Sequence, residues 1–524
     1  MTNYYVSPDG TNTWPYCTSS ENPCPASSAN KEFLGARAGD IVYFLPGTYD
    51  PGNAPSYEVP AWNPSNSGSD GSPIIFKSYS GTCTILHNNS GPAIGSYGKS
   101  YITWDGFTGT RTSLFNFVRL DNGANHCTIQ NCGLTGWDSG GLGGNLTTLF
   151  VQSSTDPTIR NNKLHGNTGS SANNTAMTFY SVSDATVENN DIYDNTTGIH
   201  DKDGGQYNTY RYNWIYNNSS SGFRVSTEAG GPNPNHIYAY QNVFRNPTLA
   251  NIWLGGSKSH SYYYIYNNTI YSNSEEGIYV GDGTGWNTVE IFNNIIYTGL
   301  RGFNYISGIT NFISNYNCIY NVTTTGRLGS TDYTTLANWQ GTSLDVNSVS
   351  GNPNFVNAGG RFVTDYRRTS YPTNGRGGSY PNVMGAYITG SEQIGYLEDT
   401  GSASPSHTPS HTPSHSRSKS MSKSQSPSLS ASPSAGYDYT RFIIHSSSNI
   451  IDGEITTHQL VPPGVKQYED FQDGVLHDVS NPADSINLNS DKYTEIEWCL
   501  QATDEAEVGE TYEFRVTKGV PILM

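Results

Sequence analysis

The strongest constraint on the fold is a short phrase of asparagine, one further residue and an apolar residue, which recurs through the middle of the chain. In several copies the asparagine is doubled, as in Asn161-Asn162-Lys163-Leu164. Successive copies align at positions 132, 162, 190, 213, 242, 268, 294 and 317, which gives steps of 30, 28, 23, 29, 26, 26 and 23 residues. A drifting period of this length, with strand-forming residues, predicts a β-solenoid in which each repeat forms one coil.

The repeated asparagine is expected at a corner of each coil. Asparagine tolerates left-handed backbone angles, and its amide can bond the same group on the next coil. A stack of such amides satisfies backbone groups that a bend would otherwise leave without partners. The apolar residue two positions later is expected to face inward. We therefore predict a structural role for the asparagine column and no catalytic role.

Composition excludes several classes of protein. Only 14% of residues are charged, while glycine (56) and tyrosine (38) are abundant, which is typical of a turn-rich β protein. The net charge of −17 leaves too few cations to replace the counterions of a polyanion, so no nucleic acid is expected as partner. No stretch of about 18 apolar residues is present, so no membrane insertion is expected. We expect an extracellular or cell-surface location, or a virion component.

The seven cysteines do not form a metal-binding pattern. Cys17 and Cys24 lie in a proline-rich loop, at a spacing that allows a small disulfide. No Cys-x-x-Cys pair is present, so we expect no metal site.

Segments at both ends of the repeats resemble those of right-handed parallel β-helix proteins of the pectate-lyase-like superfamily. The resemblance begins at residues 4–10 (Tyr-Tyr-Val-Ser-Pro-Asp-Gly) and at residues 38–49, which run from Ala-Gly-Asp to Pro-Gly-Thr-Tyr. It ends near residue 390, after the Val-Met-Gly-Ala-Tyr of residues 383–387. It implies a fold and no single activity, because this superfamily includes lyases, hydrolases, epimerases, phage spikes and adhesins.

The predicted fold is all-β, a right-handed parallel β-helix followed by a linker and a small β-sandwich. We assign residues 1–100 to an N-terminal cap and first coils, and 101–397 to the β-helix with its closing segment. Residues 398–436 form a Ser/Pro/His-rich linker, and residues 437–524 alternate at period two like a sandwich.

The linker repeats Pro-Ser-His-Thr and contains almost no core-forming residue, so it cannot order itself by burial. Its composition is that of an O-glycosylated stalk. The candidate acceptors are Ser406, Thr408, Ser410, Thr412 and Ser414.

The second strand of each coil predicts an outward strip of side chains. Strand alternation puts Ile199, Phe223, Ile252, Ile278 and Phe303 inward, so their neighbours face outward about 4.8 Å apart. The outward residues are His200, Arg224, Trp253, Tyr279 and Asn304. Such a strip is suited to a glycan-binding groove, because aromatic rings stack on sugars and arginine binds carboxylates. A contact between subunits and a plain exposed sheet remain as alternatives.

One charged cluster, His200-Asp201-Lys202-Asp203 with Arg224 on the next coil, is the candidate for catalysis. A uronate lyase on this fold would use a lysine or arginine base and calcium held by carboxylates. Asp201, Lys202 and Arg224 are the candidates, and calcium is expected only under this hypothesis. Alternation places Lys202 outward and Asp201 inward beside Val225 and Leu254. The alternative is a charged turn closed by two glycines.

We predict that the protein is a surface-exposed structural or adhesive protein without enzymatic activity, self-associating as the subunit of an extracellular filament or fibre. The stalk-like linker and the terminal module, with a strand edge open to pairing, support this interpretation. A polysaccharide lyase, or a glycan-binding tailspike that uses the outward strip, is the alternative.

Overall fold

The computed structural model describes most of residues 2–396 and ten strands beyond them. The described residues are 2–88, 91–111, 116–136, 146–169, 171, 173–227, 234–245, 247–255, 262–272, 276–281, 288–306, 311–369, 375–376, 383–387 and 392–396. The chain divides into two compact units, Met1–Ala403 and Ser404–Met524.

The first unit is a parallel β-helix, as predicted, built from three sheets that each gain one strand per coil. Sheet A contains Asn3–Ser7, Cys24–Pro25, Ile41–Phe44, Ile74–Ser78, Ile102–Asp105, Thr128–Gln130, Thr158–Arg160, Thr186–Glu188, Thr209–Arg211, Ile237–Tyr240, Tyr262–Tyr266, Thr288–Phe292 and Phe312–Asn315. Sheet B contains Gly47–Tyr49, Cys83–His87, Phe107–Arg111, Gly133–Thr135, Lys163–His165, Asp191–Tyr193, Trp214–Tyr216, Val243–Arg245, Thr269–Tyr271, Ile295–Tyr297 and Cys318–Tyr320. Sheet C contains Ile94–Tyr97, Val118–Asp121, Thr147–Gln152, Thr175–Tyr180, Thr197–Lys202, Ser221–Ser226, Ala250–Leu254, Glu276–Val280, Arg301–Tyr305, Thr324–Leu328 and the antiparallel Thr331–Tyr333.

The repeated asparagines form the predicted ladder at the corner between sheets A and B. Asn213 illustrates the bonding: its side-chain amide donates to the Asn242 Oδ1 at 3.0 Å and to the backbone carbonyls of Val187 and Arg211. The same pattern links Asn162, Asn190, Asn213, Asn242, Asn268, Asn294 and Asn317. These residues are at most 1% exposed, so the ladder satisfies corner backbone groups inside the molecule.

The apolar residue two positions after each ladder asparagine lies in the core, as predicted. The column Leu164, Ile192, Ile215, Phe244, Ile270, Ile296 and Ile319 is at most 2% exposed. The inward residues of sheet C, such as Ile199, Phe223 and Ile252, complete the same core. Identical environments recur at each coil, because every strand pairs in register with its equivalent on the next coil.

Asp345 closes the C-terminal end of the ladder. Its buried carboxylate accepts hydrogen bonds from the Asn317 side-chain amide (2.8 Å) and from the Trp339 indole N–H (2.8 Å). Trp339 belongs to the short α-helix Leu336–Gln340, whose first turn is capped by the Thr335 side chain. Two further short 3-10 helices are Glu32–Gly35 and Val363–Tyr366. The Asp345 carboxylate and the Trp339 indole ring thus close the last coil.

The described residues of 350–396, which we call the strap, pack back over the outer face of sheet B. The Asn267 side-chain amide donates to the Val383 carbonyl, and the Gly385 N–H donates to the Asn293 carbonyl at 2.7 Å. Further down, the Tyr396 N–H donates to the Asp191 Oδ1 at 2.8 Å. A second buried cluster lies beneath these contacts, consisting of Trp214, Val243, Ile295, Cys318, Phe355, Tyr366, Met384, Ala386, Tyr387 and Ile394.

Cys17 and Cys24 are joined by a disulfide in the N-terminal segment. The four other described cysteines, Cys83, Cys127, Cys132 and Cys318, are buried free thiols. Burial raises the pKa of the Cys127 thiol to about 11 and that of Cys132 to about 12, so both stay protonated and unreactive near neutrality.

In the second unit the structure describes the backbone of strands. These are Leu429–Ser430, Tyr439–His445, Gly453–Thr456, Val465–Gln472, Val475–His477, Ser485–Leu488, Glu495–Ala502, Thr511–Tyr512, Arg515–Lys518 and Val520–Leu523. Four of them form an antiparallel sheet in the order Tyr439–His445, Glu495–Ala502, Val465–Gln472, Val475–His477. The β-sandwich stays a prediction. The linker acceptors Ser406, Thr408, Ser410, Thr412 and Ser414 lie outside the described residues.

Candidate functional site

The outward strip predicted from sequence forms one register column on sheet C. His200 pairs with Arg224, Arg224 with Trp253, Trp253 with Tyr279, and Tyr279 with Asn304. The column extends beyond the prediction at both ends, to Arg119, Phe150 and Thr178 on one side and to Arg327 on the other. Parallel pairing in exact register brings these side chains together, because residues far apart in sequence become neighbours on one face.

Arg224, Trp253 and Tyr279 form an aromatic and cationic platform at the centre of this column. The Arg224 guanidinium lies 4.4 Å from the centroid of the Trp253 ring. The Trp253 and Tyr279 rings are parallel within 5°, with centroids 5.7 Å apart. All three side chains are partly exposed. A guanidinium held against an indole face keeps its charge and gains a fixed orientation.

Two glycines explain how these rings lie over the sheet. A Cβ at Gly255 would come within 2.0 Å of the Trp253 ring, and a Cβ at Gly281 within 2.7 Å of the Tyr279 hydroxyl oxygen. Each ring therefore covers the position two residues further along its own strand, where only glycine leaves room. The sequence signal for this arrangement is an aromatic residue followed two positions later by glycine.

His200 and Lys202 belong to the outer face of sheet C but are almost fully buried, at 1% and 3% exposure. The His200 Nε2 lies 2.6 Å from the Ser226 hydroxyl, and the Lys202 Nζ lies 5.9 Å from the Tyr180 ring centroid. Burial, with the neighbouring charges of Arg224 and Lys202, holds the pKa of His200 well below its usual value. His200 is therefore neutral near pH 7 and supports the face without adding charge.

Asn304, at 7% exposure, is also mostly covered. Its side-chain amide donates to the Glu276 Oε1 at 2.5 Å, and the Arg301 guanidinium lies 3.3 Å from the same oxygen. Arg301 also contacts Asp332. Glu276 is thus neutralised within the face, and its negative charge does not oppose an anionic ligand at the platform.

Asp201 lies on the opposite side of the sheet, inside the coil. It pairs in register with Val225 and is fully buried. Its Oδ2 accepts hydrogen bonds from the Tyr210 hydroxyl (2.8 Å) and from the Asn208 amide (2.9 Å). Burial raises the pKa of Asp201 to about 6, although these two hydrogen bonds act against the rise.

The three residues considered for lyase chemistry therefore do not converge. Lys202 and Arg224 share the outer face of sheet C, while the Asp201 carboxylate points into the core. A calcium ion held by Asp201 would have no access to a sugar on the outer face. Asp201 does not fit a calcium ligand here, and among the described residues no three His, Cys, Asp or Glu side chains are placed to hold a metal ion.

A family model for the right-handed β-helix region matches residues 97–264. Together with the three in-register sheets, this match shows that the first unit is a right-handed parallel β-helix. A search of curated proteins found no match.

Solved structures with similarity to the chain include several enzymes acting on polysaccharides. One is the pectate lyase Pel9A, at 15% identity and a TM-score of 0.46, covering 74% of this chain and 96% of that one. Another is the A-module of the mannuronan C-5 epimerase AlgE4 of Azotobacter vinelandii, at 15% identity and a TM-score of 0.39, covering 62% and 91%. A third is an alginate lyase from a Paenibacillus species, at 12% identity and a TM-score of 0.29, covering 59% and 98%. None of the helices in the described part of the chain is long and apolar enough to cross a membrane.

Proposed function

We propose that the protein is an extracellular, surface-exposed adhesive protein whose outer face of sheet C binds an acidic polysaccharide. The observation that carries the proposal is the contact of Arg224 with Trp253, continued by the parallel ring of Tyr279. Aromatic faces stack on the apolar faces of sugar rings, and a fixed guanidinium recognises a carboxylate through paired N–H groups.

Charge supports an anionic ligand at this face although the whole chain is acidic. The partly exposed Arg224 guanidinium belongs to the outer face, and two nearby acidic side chains are paired, Glu276 with Arg301 and Asp332 with Arg327 at 2.9 Å. A local positive surface attracts an anion over distances of about a Debye length, whatever the distant net charge. Binding should therefore weaken as salt concentration rises.

Binding of a linear polyuronate by the full-length protein tests the proposal, using affinity electrophoresis at two salt concentrations. We expect Trp253→Ala and Arg224→Gln each to weaken binding about tenfold, consistent with the loss of one stacking or charged contact. Tyr16→Ala is the matched control, because Tyr16 is 73% exposed on the N-terminal segment. If the polyuronate retards all three variants equally in the gel, the proposal is contradicted.

The same samples also test whether the protein cleaves the polyuronate. The lyase hypothesis predicts unsaturated uronate, seen as ultraviolet absorbance, that disappears in Lys202→Ala. The adhesive proposal predicts binding with no such absorbance, because the Asp201 carboxylate points into the core and cannot reach a sugar on the outer face.

A further inference from the structure

A second aromatic surface, separate from the platform, lies on the outer face of sheet A. We call it the tyrosine array, and it consists of Tyr207, Tyr238, Tyr240, Tyr262, Tyr264, Tyr266 and His236. Tyr238 pairs in register with Tyr264, and Tyr240 with Tyr266. His236 stacks between Tyr207 and Tyr262, with centroids 4.7 Å apart on each side. The array thus has three rows that run from coil to coil, one of three rings and two of two rings.

The rings overlap only in part. The centroids of Tyr238 and Tyr264 are 4.9 Å apart, and those of Tyr240 and Tyr266 are 4.8 Å apart, with planes within 9° of parallel. Carbon atoms in contact lie only about 3.5–4 Å apart, so the stacked rings must be offset from one another. The offset leaves part of each ring uncovered by its neighbour. Six of the seven residues are partly exposed, and Tyr207 is 49% exposed.

Two charged residues that border the array, Arg211 and Glu290, are engaged in ion pairs. Arg211, beside Tyr240, lies 2.8 Å from the Glu188 carboxylate and donates to the Tyr240 hydroxyl at 3.2 Å. Glu290, beside Tyr264, lies 2.7 Å from the Arg376 guanidinium of the strap. At these two positions the charge is paired, so the described rows of Tyr238 and Tyr240 present rings and hydroxyls beside neutralised charges, unlike the cationic platform on sheet C.

The geometry points to an uncharged polysaccharide as the ligand of the tyrosine array. A surface that repeats at about 4.8 Å per coil complements a ligand that also repeats, and a polymer of identical sugars does so. Two coils span about 9.6 Å, close to one disaccharide in an extended β-1,4-linked chain. Tyrosine supplies both a ring for sugar C–H faces and a hydroxyl for hydrogen bonds. We propose that the array binds an uncharged β-1,4-linked polysaccharide.

Depletion of the full-length protein by microcrystalline cellulose and by insoluble chitin, at high salt, tests this inference. High salt screens the charge of Arg224 on the platform, so that retention depends on uncharged contacts. The double variant Tyr238→Ala/Tyr264→Ala removes the middle row and should weaken binding about tenfold or more. Tyr264→Phe keeps the ring and should retain most of the affinity, while Tyr16→Ala serves as the control.

Folding of each variant is checked by its thermal midpoint. If the double variant does not fold, Tyr207→Ala, at the exposed edge of the array, should still weaken binding severalfold. The inference is overturned if neither probe depletes the unmodified protein, or if the array variants bind as well as Tyr16→Ala. It is also overturned if those variants change the oligomeric state instead, which would make the array an interface between copies.

Discussion

The role of each side chain in this protein depends on its position within the repeating coil. The same residue type takes opposite roles depending on which side of a strand it occupies. Lys202 and Asp201 are adjacent in sequence, yet one belongs to the outer face of sheet C and the other points into the core. Two predictions belong to this scale.

The first prediction concerns the pH dependence contributed by Asp201. Burial raises its folded pKa to about 6, above the value of about 3.9 expected in the unfolded chain. The folded state therefore holds the proton more tightly, and stability is lost as pH rises between about 4 and about 6. In Asp201→Asn this loss should disappear, so the unfolding free energy of the variant should rise by roughly 2 kcal/mol relative to that of the unmodified protein between pH 4 and pH 7.

Thermal or denaturant unfolding across that pH range measures this gain. The exposed Asp9, changed in Asp9→Asn, is the control. If the unfolding free energies of the unmodified protein and Asp201→Asn change with pH in parallel, burial does not raise the pKa of Asp201.

The second prediction concerns the ladder. The Asn242 amide donates to the Tyr210 and Tyr240 carbonyls and to the Asn268 side chain. Asn242→Ala leaves several buried groups without partners and should cost roughly 3 kcal/mol or more of unfolding free energy. Asn30→Ala, at an exposed asparagine, should change little. If the two variants unfold at the same midpoint, the ladder does not stabilise the coils.

At the scale of elements, the strap determines which faces of the β-helix remain open. It covers sheet B by hydrogen bonding to the first asparagine of the doublets, as at Asn267 and Asn293, while the second asparagine builds the inner ladder. Sheets A and C keep the two aromatic surfaces. The first asparagine of each of these doublets therefore holds the strap, and the second forms the inner ladder.

Gly385 is a position where the strap leaves no room for a side chain. Its φ is +86°, and a Cβ there would come within 2.6 Å of the Ile295 side chain. Gly385→Ala should weaken the strap by about 1–3 kcal/mol and accelerate proteolytic cleavage between residues 350 and 396. Gly329→Ala is the matched control, because Gly329 also has a positive φ (+62°) but open space around its Cβ position. Equal cleavage rates for both variants would contradict a steric role for Gly385.

For the whole molecule, the remaining prediction is self-association through the C-terminal module. We expect the full-length protein to assemble, because an open strand edge can pair with a neighbouring chain. Deletion of residues 437–524 should leave a soluble monomer, as measured by light scattering and electron microscopy. Persistent assembly after this deletion would refute the role of the module, and mass spectrometry of the linker on the same sample would show whether it is glycosylated.

The sequence determined the architecture, because a fold that repeats displays its rule in every copy. The asparagine spacing predicted the coil length, the corner ladder and the inward column of Leu164 through Ile319, and the structure confirms all three. Alternation within the second strand also placed Trp253 and Tyr279 in one register column. These features depend on local periodicity, which a single chain shows without any tertiary information.

Only the tertiary structure decided what covers each face. The burial of His200 and Lys202, and the neutralisation of Glu276 by Arg301 and Asn304, arise from contacts between coils that no local pattern displays. The strap has the same origin, since Gly385 meets Ile295 across 90 residues of sequence. Periodicity specifies which side of a strand a residue occupies, whereas its accessibility depends on segments distant in sequence that pack against that side.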